Sequence, residues 1–224
     1  MKRVLLINPN TNEQTTAAML AIARETAAGR LQIEAVTAPR GVPMITDAPA
    51  LREAGAVLAA MIPELRAGHW DGVITAAYGD PALQALRDGL ACPVTGIGEA
   101  SMLEASLLGP FAVVTTTPDL AGSITAMAGR LGLSAVFHGV FLTDGDAVAV
   151  TRDPAVLVER LEEACLAALE ATGSLQVKPA SLIIGGGPLA QAARALKDRV
   201  PVRLIEPIPA AIRRIGLMVR NQTE

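Results

Sequence analysis

Along the chain, short runs of apolar and β-branched residues alternate with longer stretches in which apolar positions return every three or four residues. The first pattern predicts strands at Arg3 to Asn8, Gln32 to Thr37, Gly72 to Ala76, Val94 to Gly96, Phe111 to Thr115, Val136 to Phe141, Ser181 to Gly185 and Val202 to Ile205. The second predicts helices over Asn12 to Ala28, Ala50 to Ala67, Pro81 to Gly89, Gly98 to Leu108, Pro118 to Leu131, Pro154 to Ala171, Pro188 to Lys197 and Pro207 to Arg220. Strand and helix in strict alternation form a mainly parallel sheet with helices on its faces. Four such units are followed by four more, so the expected fold class is α/β, as two pseudo-symmetric doubly wound lobes. One lobe is expected from residues 1–97 with 206–224 and the other from 98–205, with a small-ligand site in the cleft between them. The longest Pro/Gly-bearing loop, Gly41 to Pro49, is placed to act as a rim or lid.

Composition narrows the partners. With 224 residues, 51% of them hydrophobic, the chain fills a core without a disulfide or metal staple. A net charge of -3 and only 2% aromatic residues supply no basic face and little for base stacking, so nucleic acid is not an expected partner. The apolar start Val4 to Ile7 is cut by Asn8-Pro9-Asn10, too short for the roughly 7–15 residues of a signal peptide core. No run approaches the ~18 apolar residues of a membrane span. Two cysteines, Cys92 and Cys165, suggest neither a disulfide framework nor a zinc site, so a cytoplasmic protein is expected. His69 and His138 have no ligand partner at short spacing, and neither metal nor cofactor is expected. Alanine-rich apolar helix faces suggest a homo-oligomer.

A repeated junction carries the candidate chemistry. A strand ends, a small or polar residue follows, and a proline opens the next helix, as in Gly79-Asp80-Pro81, Thr116-Thr117-Pro118, Gly186-Gly187-Pro188 and Ile205-Glu206-Pro207. Asp153-Pro154 repeats the form on a loop. Thr11 with Gln14 fits the spacing of a capping box. In a parallel sheet all strand-end turns lie at one edge, where helix N-termini direct unsatisfied N–H groups and favour an anion. Asn8, Asn10, Thr11, Ala77, Gly79, Thr116, Thr117, Gly185, Gly186, Gly187 and Glu206 are the expected binding positions for a substrate carboxylate or a developing oxyanion. Tyr78, Asp80 and Glu99 are the expected acid–base groups, Glu99 because burial in a first helical turn would raise its pKa. Each junction taken singly reads more simply as a plain cap or tight turn, and it is the four together that point to a site. The run Gly185-Gly186-Gly187 lacks the spacing and the lysine of a nucleotide phosphate loop.

At these junctions the chain resembles the aspartate/glutamate/hydantoin racemase superfamily. The matching segments are Ile7-Asn8-Pro9-Asn10-Thr11, Tyr78-Gly79-Asp80-Pro81, Gly96-Ile97-Gly98-Glu99-Ala100 and Val113-Val114-Thr115-Thr116, in family order over almost the whole length. The resemblance implies two α/β lobes and two thiols, one removing an α-proton while the other returns a proton to the opposite face. The positions it assigns to those thiols are Ala77 and Gly186 here, so neither is present. Cys92 and Cys165 read as small buried hydrophobes and are not expected to substitute. The missing thiols leave room for a water molecule, and ring-opening hydrolysis of a hydantoin-, thiazoline- or lactam-like amino-acid derivative is the favoured expectation. Racemisation by non-thiol bases and a non-catalytic ligand-binding module are the alternatives.

Overall fold

The computed structural model describes residues 1–172 and 178–221. In chain order the elements are β1 (Arg3–Asn8), α1 (Glu13–Ala27), β2 (Gln32–Thr37), α2 (Ala48–Ala60), α3 (Ile62–Ala67), β3 (Gly72–Thr75), α4 (Leu83–Gly89), β4 (Val94–Gly96) and α5 (Ile97–Ser106). They continue as β5 (Phe111–Thr115), α6 (Ala121–Arg130), β6 (Phe137–Leu142), α7 (Ala147–Arg152), α8 (Pro154–Ala171), β7 (Ser181–Ile184), α9 (Ala190–Ala195), β8 (Arg203–Ile205) and α10 (Pro207–Asn221). Single 3-10 turns, Pro118–Leu120 and Gly187–Leu189, precede α6 and α9.

The chain forms two compact units, Met1–Ala100 joined by the segment from Ile208 on, and Ser101–Pro207. Each holds a four-stranded, all-parallel sheet, in the order β2-β1-β3-β4 in the first and β6-β5-β7-β8 in the second. The central strands are continuous apolar runs because helices cover both faces: β3, β5 and β7 are buried at every position. In the first unit Leu5, Ile7 and Val73 pack with Val57, Leu58 and Leu86 from the helices. At the start of β3, Gly72 has no side chain, and Ile215 and Val219 of α10 take its place, about 3 Å from where a Cβ would stand. In the second unit Ala112, Val114, Leu182 and Ile184 meet Leu157, Leu161 and Cys165 of α8 and Leu189.

At their carboxyl ends the two sheets repeat the same hydrogen bonds. Ala38 N donates to Asn8 O as Thr143 N donates to Thr115 O, and Ala76 N donates to Ile7 O as Gly185 N donates to Val114 O. Asn8 therefore corresponds to Thr115, Asn10 to Thr117, and Ala77 to Gly186.

Local departures from the expected elements have identifiable causes. The helix expected over Ala50 to Ala67 breaks at Met61, because Pro63 has no N–H and its ring crowds the preceding turn. The helix expected from Pro81 starts at Leu83, since Asp80 and Ala82 take left-handed backbone angles, φ 50 and 59°. Helix α7 was not expected. Its Ala-Val-Ala-Val run reads as neither period, yet Asp146 caps it by accepting from Ala149 N at 2.8 Å, and Asp153 ends it and caps α8. No helix among the described residues is long and apolar enough to cross a membrane.

Candidate active site at the strand ends

The candidate residues fall into two sets, one at the carboxyl edge of each sheet. In the first unit the turn after β1 is a closed amide network. Asn8, fully buried, directs Nδ2 at Asn10 Oδ1 (2.8 Å), Thr16 Oγ1 (2.9 Å) and Asn12 O (3.1 Å), while its Oδ1 accepts from Asn10 N. Asn8 is thus committed to shaping the turn, which corrects its expected role as a ligand contact. Asn10 Oδ1 also takes Asn12 N at 2.9 Å, which leaves Nδ2 as the donor this amide can offer. The expected Thr11–Gln14 capping box does not form. Asn12, with extended backbone angles, caps α1 by accepting from Thr15 N at 3.0 Å, one residue later than expected. Thr11 instead ties the turn to the following loop through Thr11 N donating to Val42 O.

After β3 the chain turns sharply. Gly79 has φ 119°, and a Cβ there would lie 2.8 Å from Leu51 Cδ2, so only glycine fits. The turn delivers Asp80, 8% exposed, not to its own helix but across to α5, where its carboxylate accepts from Gly98 N (2.8 Å) and Glu99 N (2.6 Å). Space for this exists because Gly96 lacks a side chain: a Cβ at 96 would stand 2.1 Å from Asp80 Cγ. Burial raises the Asp80 pKa from 3.8 to about 7; the two amide hydrogen bonds pull the other way without overcoming it, and Glu99 raises it further while Arg87 lowers it. Two expectations change. Asp80 positions α5 rather than facing a ligand with free oxygens, and the α5 N-terminus is occupied by an internal carboxylate rather than open to a substrate.

Glu99 is equally committed. It is buried, with Arg87 Nη2 at 2.7 and 3.0 Å from its two oxygens and Arg214 Nε and Nη2 at 3.2 and 3.1 Å. Held by two guanidiniums, it is a structural ion pair and not the general base expected from its place in the helix. Glu99→Gln should lower stability by about 1–2 kcal/mol, the two arginines being partly exposed and able to turn to water. Turnover per folded molecule should persist, whereas loss of a true general base would remove about 10²–10⁴-fold. Tyr78 is buried beside half-buried Ala77 in the same turn.

In the second unit Thr115 Oγ1 donates to Gly185 O at 2.8 Å, so in its 3.1 Å contact with Thr117 Oγ1 it accepts. Thr117 therefore spends its proton inward and presents only lone pairs. Thr116 and Thr117 are both buried, as are Gly185 and Gly187, while Gly186 is half-buried with extended backbone, φ 166°. A Cβ at Gly186 would lie 2.9 Å from Leu189 Cγ and 3.0 Å from Cδ1. The room expected where a second thiol is missing is thus filled by Leu189. Glu206 pairs with Arg194 at 3.2 Å. Thr143, which the sequence reading passed over, is buried at the end of β6, and its Oγ1 has no partner among the described residues. A polar residue directly after an apolar strand was the available signal.

The cysteines lie elsewhere. Cys92 is half-buried just before β4, at the opposite edge of the sheet, and Cys165 sits in the α8 core with its pKa pushed up to about 12 by burial. Cys92→Ala with Cys165→Ala should leave turnover intact; a folded but inactive double variant would place a thiol in the chemistry. Among the described residues no group of three or more His, Cys, Asp or Glu is arranged to hold a metal ion.

Comparison with known proteins places this geometry. The chain is 26% identical to the hydantoin racemase of Paenarthrobacter aurescens over 216 residues, covering 94% of this chain and 88% of that one. It is 29% identical to the hydantoin racemase of Rhizobium meliloti over 216 residues, 93% and 85% of the two chains. Among solved structures, allantoin racemase from Klebsiella pneumoniae superposes with a TM-score of 0.90 at 28% identity, over 99% of this chain and 89% of that chain. Unliganded arylmalonate decarboxylase shares the fold, with a TM-score of 0.65 at 17% identity over 98% and 93%. The profile of the Asp/Glu/Hydantoin racemase family matches residues 4–215, and the chain belongs to that family.

Proposed function

We propose that this chain is a cofactor-free isomerase of a small cyclic ureide or related carboxylate, of the hydantoin or allantoin kind, that moves its proton without thiols. What carries the reading is the similarity to hydantoin racemases along almost the full length of the chain, joined to a strand-end geometry in which Ala77 and Gly186 are equivalent positions. Isomerisation at a carbon beside a ring carbonyl needs a base to remove the proton, donors for the enolate oxygen that develops, and an acid to return the proton. Tyr78 is the base or acid nearest Ala77 in sequence, and Asn10 Nδ2 is the donor left over by the first turn.

Ring-opening hydrolysis is the second reading, favoured by the absence of a thiol from both equivalent turns. The filled space at Gly186 limits its attacking water to the Ala77 side.

Incubation of the protein in D2O with each enantiomer of a 5-substituted hydantoin, and with allantoin, separates the readings by chiral chromatography and mass. Inversion with one deuterium gained supports the isomerase, a gain of one water supports the hydrolase, and binding without either supports a non-catalytic ligand module. Tyr78→Phe should lower isomerisation by about 10²-fold or more.

A further inference from the structure

A cavity of about 400 Å³ opens in the first unit at the amino ends of β1 and β2. The six residues of β1 separate it from the strand-end turns of the same unit by roughly 20 Å. Its floor is apolar, made by Ala27 and Leu31 from the end of α1 and the following turn and by Ile212 of α10. Around the rim stand four cationic residues, Lys2, Arg30, Arg213 and Arg220, and no Asp or Glu lines it among the described residues. In a chain of net charge -3 that grouping runs against the overall balance.

The rim is anchored in part. Lys2 Nζ pairs with Asp71 at 3.1 Å, and Arg220 Nε is tied to Gly216 O at 2.9 Å on its own helix, which orients the guanidinium. Arg30 is exposed, with its Nη2 3.4 Å from Thr26 O at the end of α1. Leu217, at the mouth, is 58% exposed. Gly216 leaves the wall open: a Cβ there would meet Leu31 Cδ1 at an ordinary 3.6 Å and would project toward the cavity.

We propose that this cavity binds a small organic anion with an apolar body, a medium-chain or aromatic carboxylate, at a site separate from the strand-end turns. An apolar floor removes the body of such a ligand from water, and arginine forks match a carboxylate two bonds at a time. Sites of this size, mostly apolar with a few convergent polar groups, are the usual form of small-ligand pockets. A neutral ligand of the same shape forgoes the attraction of the cationic rim, and a bare anion leaves the floor wet, so both features together define the class.

Titration calorimetry of the full chain with octanoate, octanamide and inorganic phosphate tests it. Octanoate should bind saturably, with octanamide and phosphate each about tenfold weaker or more. Gly216→Ala should bind as the parent does. Gly216→Met should fill the cavity, lower octanoate affinity by about tenfold or more, and leave the melting temperature unchanged or raised, methionine being the better helix former. Arg30→Gln with Arg213→Gln gives the charge test independently of packing and should weaken octanoate to the level of octanamide. Equal affinity for octanoate and octanamide, undiminished binding by folded Gly216→Met, or no saturable octanoate binding would each overturn the proposal. Attachment to vesicles of anionic phospholipid without octanoate binding would overturn it in favour of a membrane-facing surface.

Discussion

Replacing Asp80 by alanine is expected to cost about 3–5 kcal/mol at pH 6, read as a shift in the urea midpoint. Two buried amide donors, Gly98 N and Glu99 N, lose the Asp80 carboxylate as acceptor, a loss of about 1–3 kcal/mol for each donor left unsatisfied. Alanine must also adopt φ near 50°, which Asp tolerates better. Asp80→Asn separates shape from charge, since asparagine accepts the same backbone angle and keeps one acceptor. Burial raises the carboxyl pKa to about 7 from 3.8, so the folded state binds the proton more tightly than the unfolded chain. The stability this group contributes is full below about pH 4 and is lost as pH rises through about 7, on the order of 4 kcal/mol in all. The parent should therefore weaken between about pH 4 and 7 while Asp80→Asn stays nearly level. Gly96→Ala should be as damaging as Asp80→Ala, its Cβ and Asp80 Cγ being unable to share a separation of 2.1 Å. In the Asp80→Ala background the same Gly96→Ala change should cost less than half as much. Additive costs, or a parent whose stability rises across that pH range, would remove Asp80 from its place under α5.

This interaction marks the limit of what the chain's pattern discloses. Strand positions follow from the apolar runs because a buried parallel strand needs nothing else, and β1, β2, β4 and β5 lie where those runs predict. Pro154 and Pro207 open α8 and α10 as first-turn prolines should. Asp80-Pro81 has the same local spelling, yet its carboxylate serves a helix that starts 17 residues later. Local spacing carries no information about a partner brought near only by β3 pairing with β4. Glu99 fails for the same reason: its partners Arg87 and Arg214 are 12 and 115 residues away, so a first-turn acid could not be recognised as an ion pair. Ala77 and Gly186 were singled out through the family resemblance, and the matching hydrogen bonds after β3 and β7 make them equivalent positions. The occupant of the space beside Gly186 was not legible, since Leu189 reads as one more apolar position of a helix.

That occupant sets the second large effect. Gly186→Cys should destabilise by about 1–3 kcal/mol, because its Cβ presses on Leu189, itself 2% exposed and packed in the second unit's core. Leu189→Ala alone should cost about 2–5 kcal/mol through the cavity it leaves. Together the two should cost less than their sum, as the thiol takes up vacated volume. Ala77→Cys extends a Cβ already present at a half-buried position and should be nearly neutral. If the proposed reading of the site holds, Ala77→Cys, Gly186→Cys and Leu189→Ala combined should racemise a 5-substituted hydantoin about a hundredfold faster than Ala77→Cys alone. Gly186→Cys that melts with the parent and alkylates quickly would show that Leu189 does not fill the position. A folded triple variant with two titrating thiols and no gain in racemisation would instead mean that proton transfer does not pass through these two turns. The outcomes are separable because the first is read from stability and alkylation and the second from turnover.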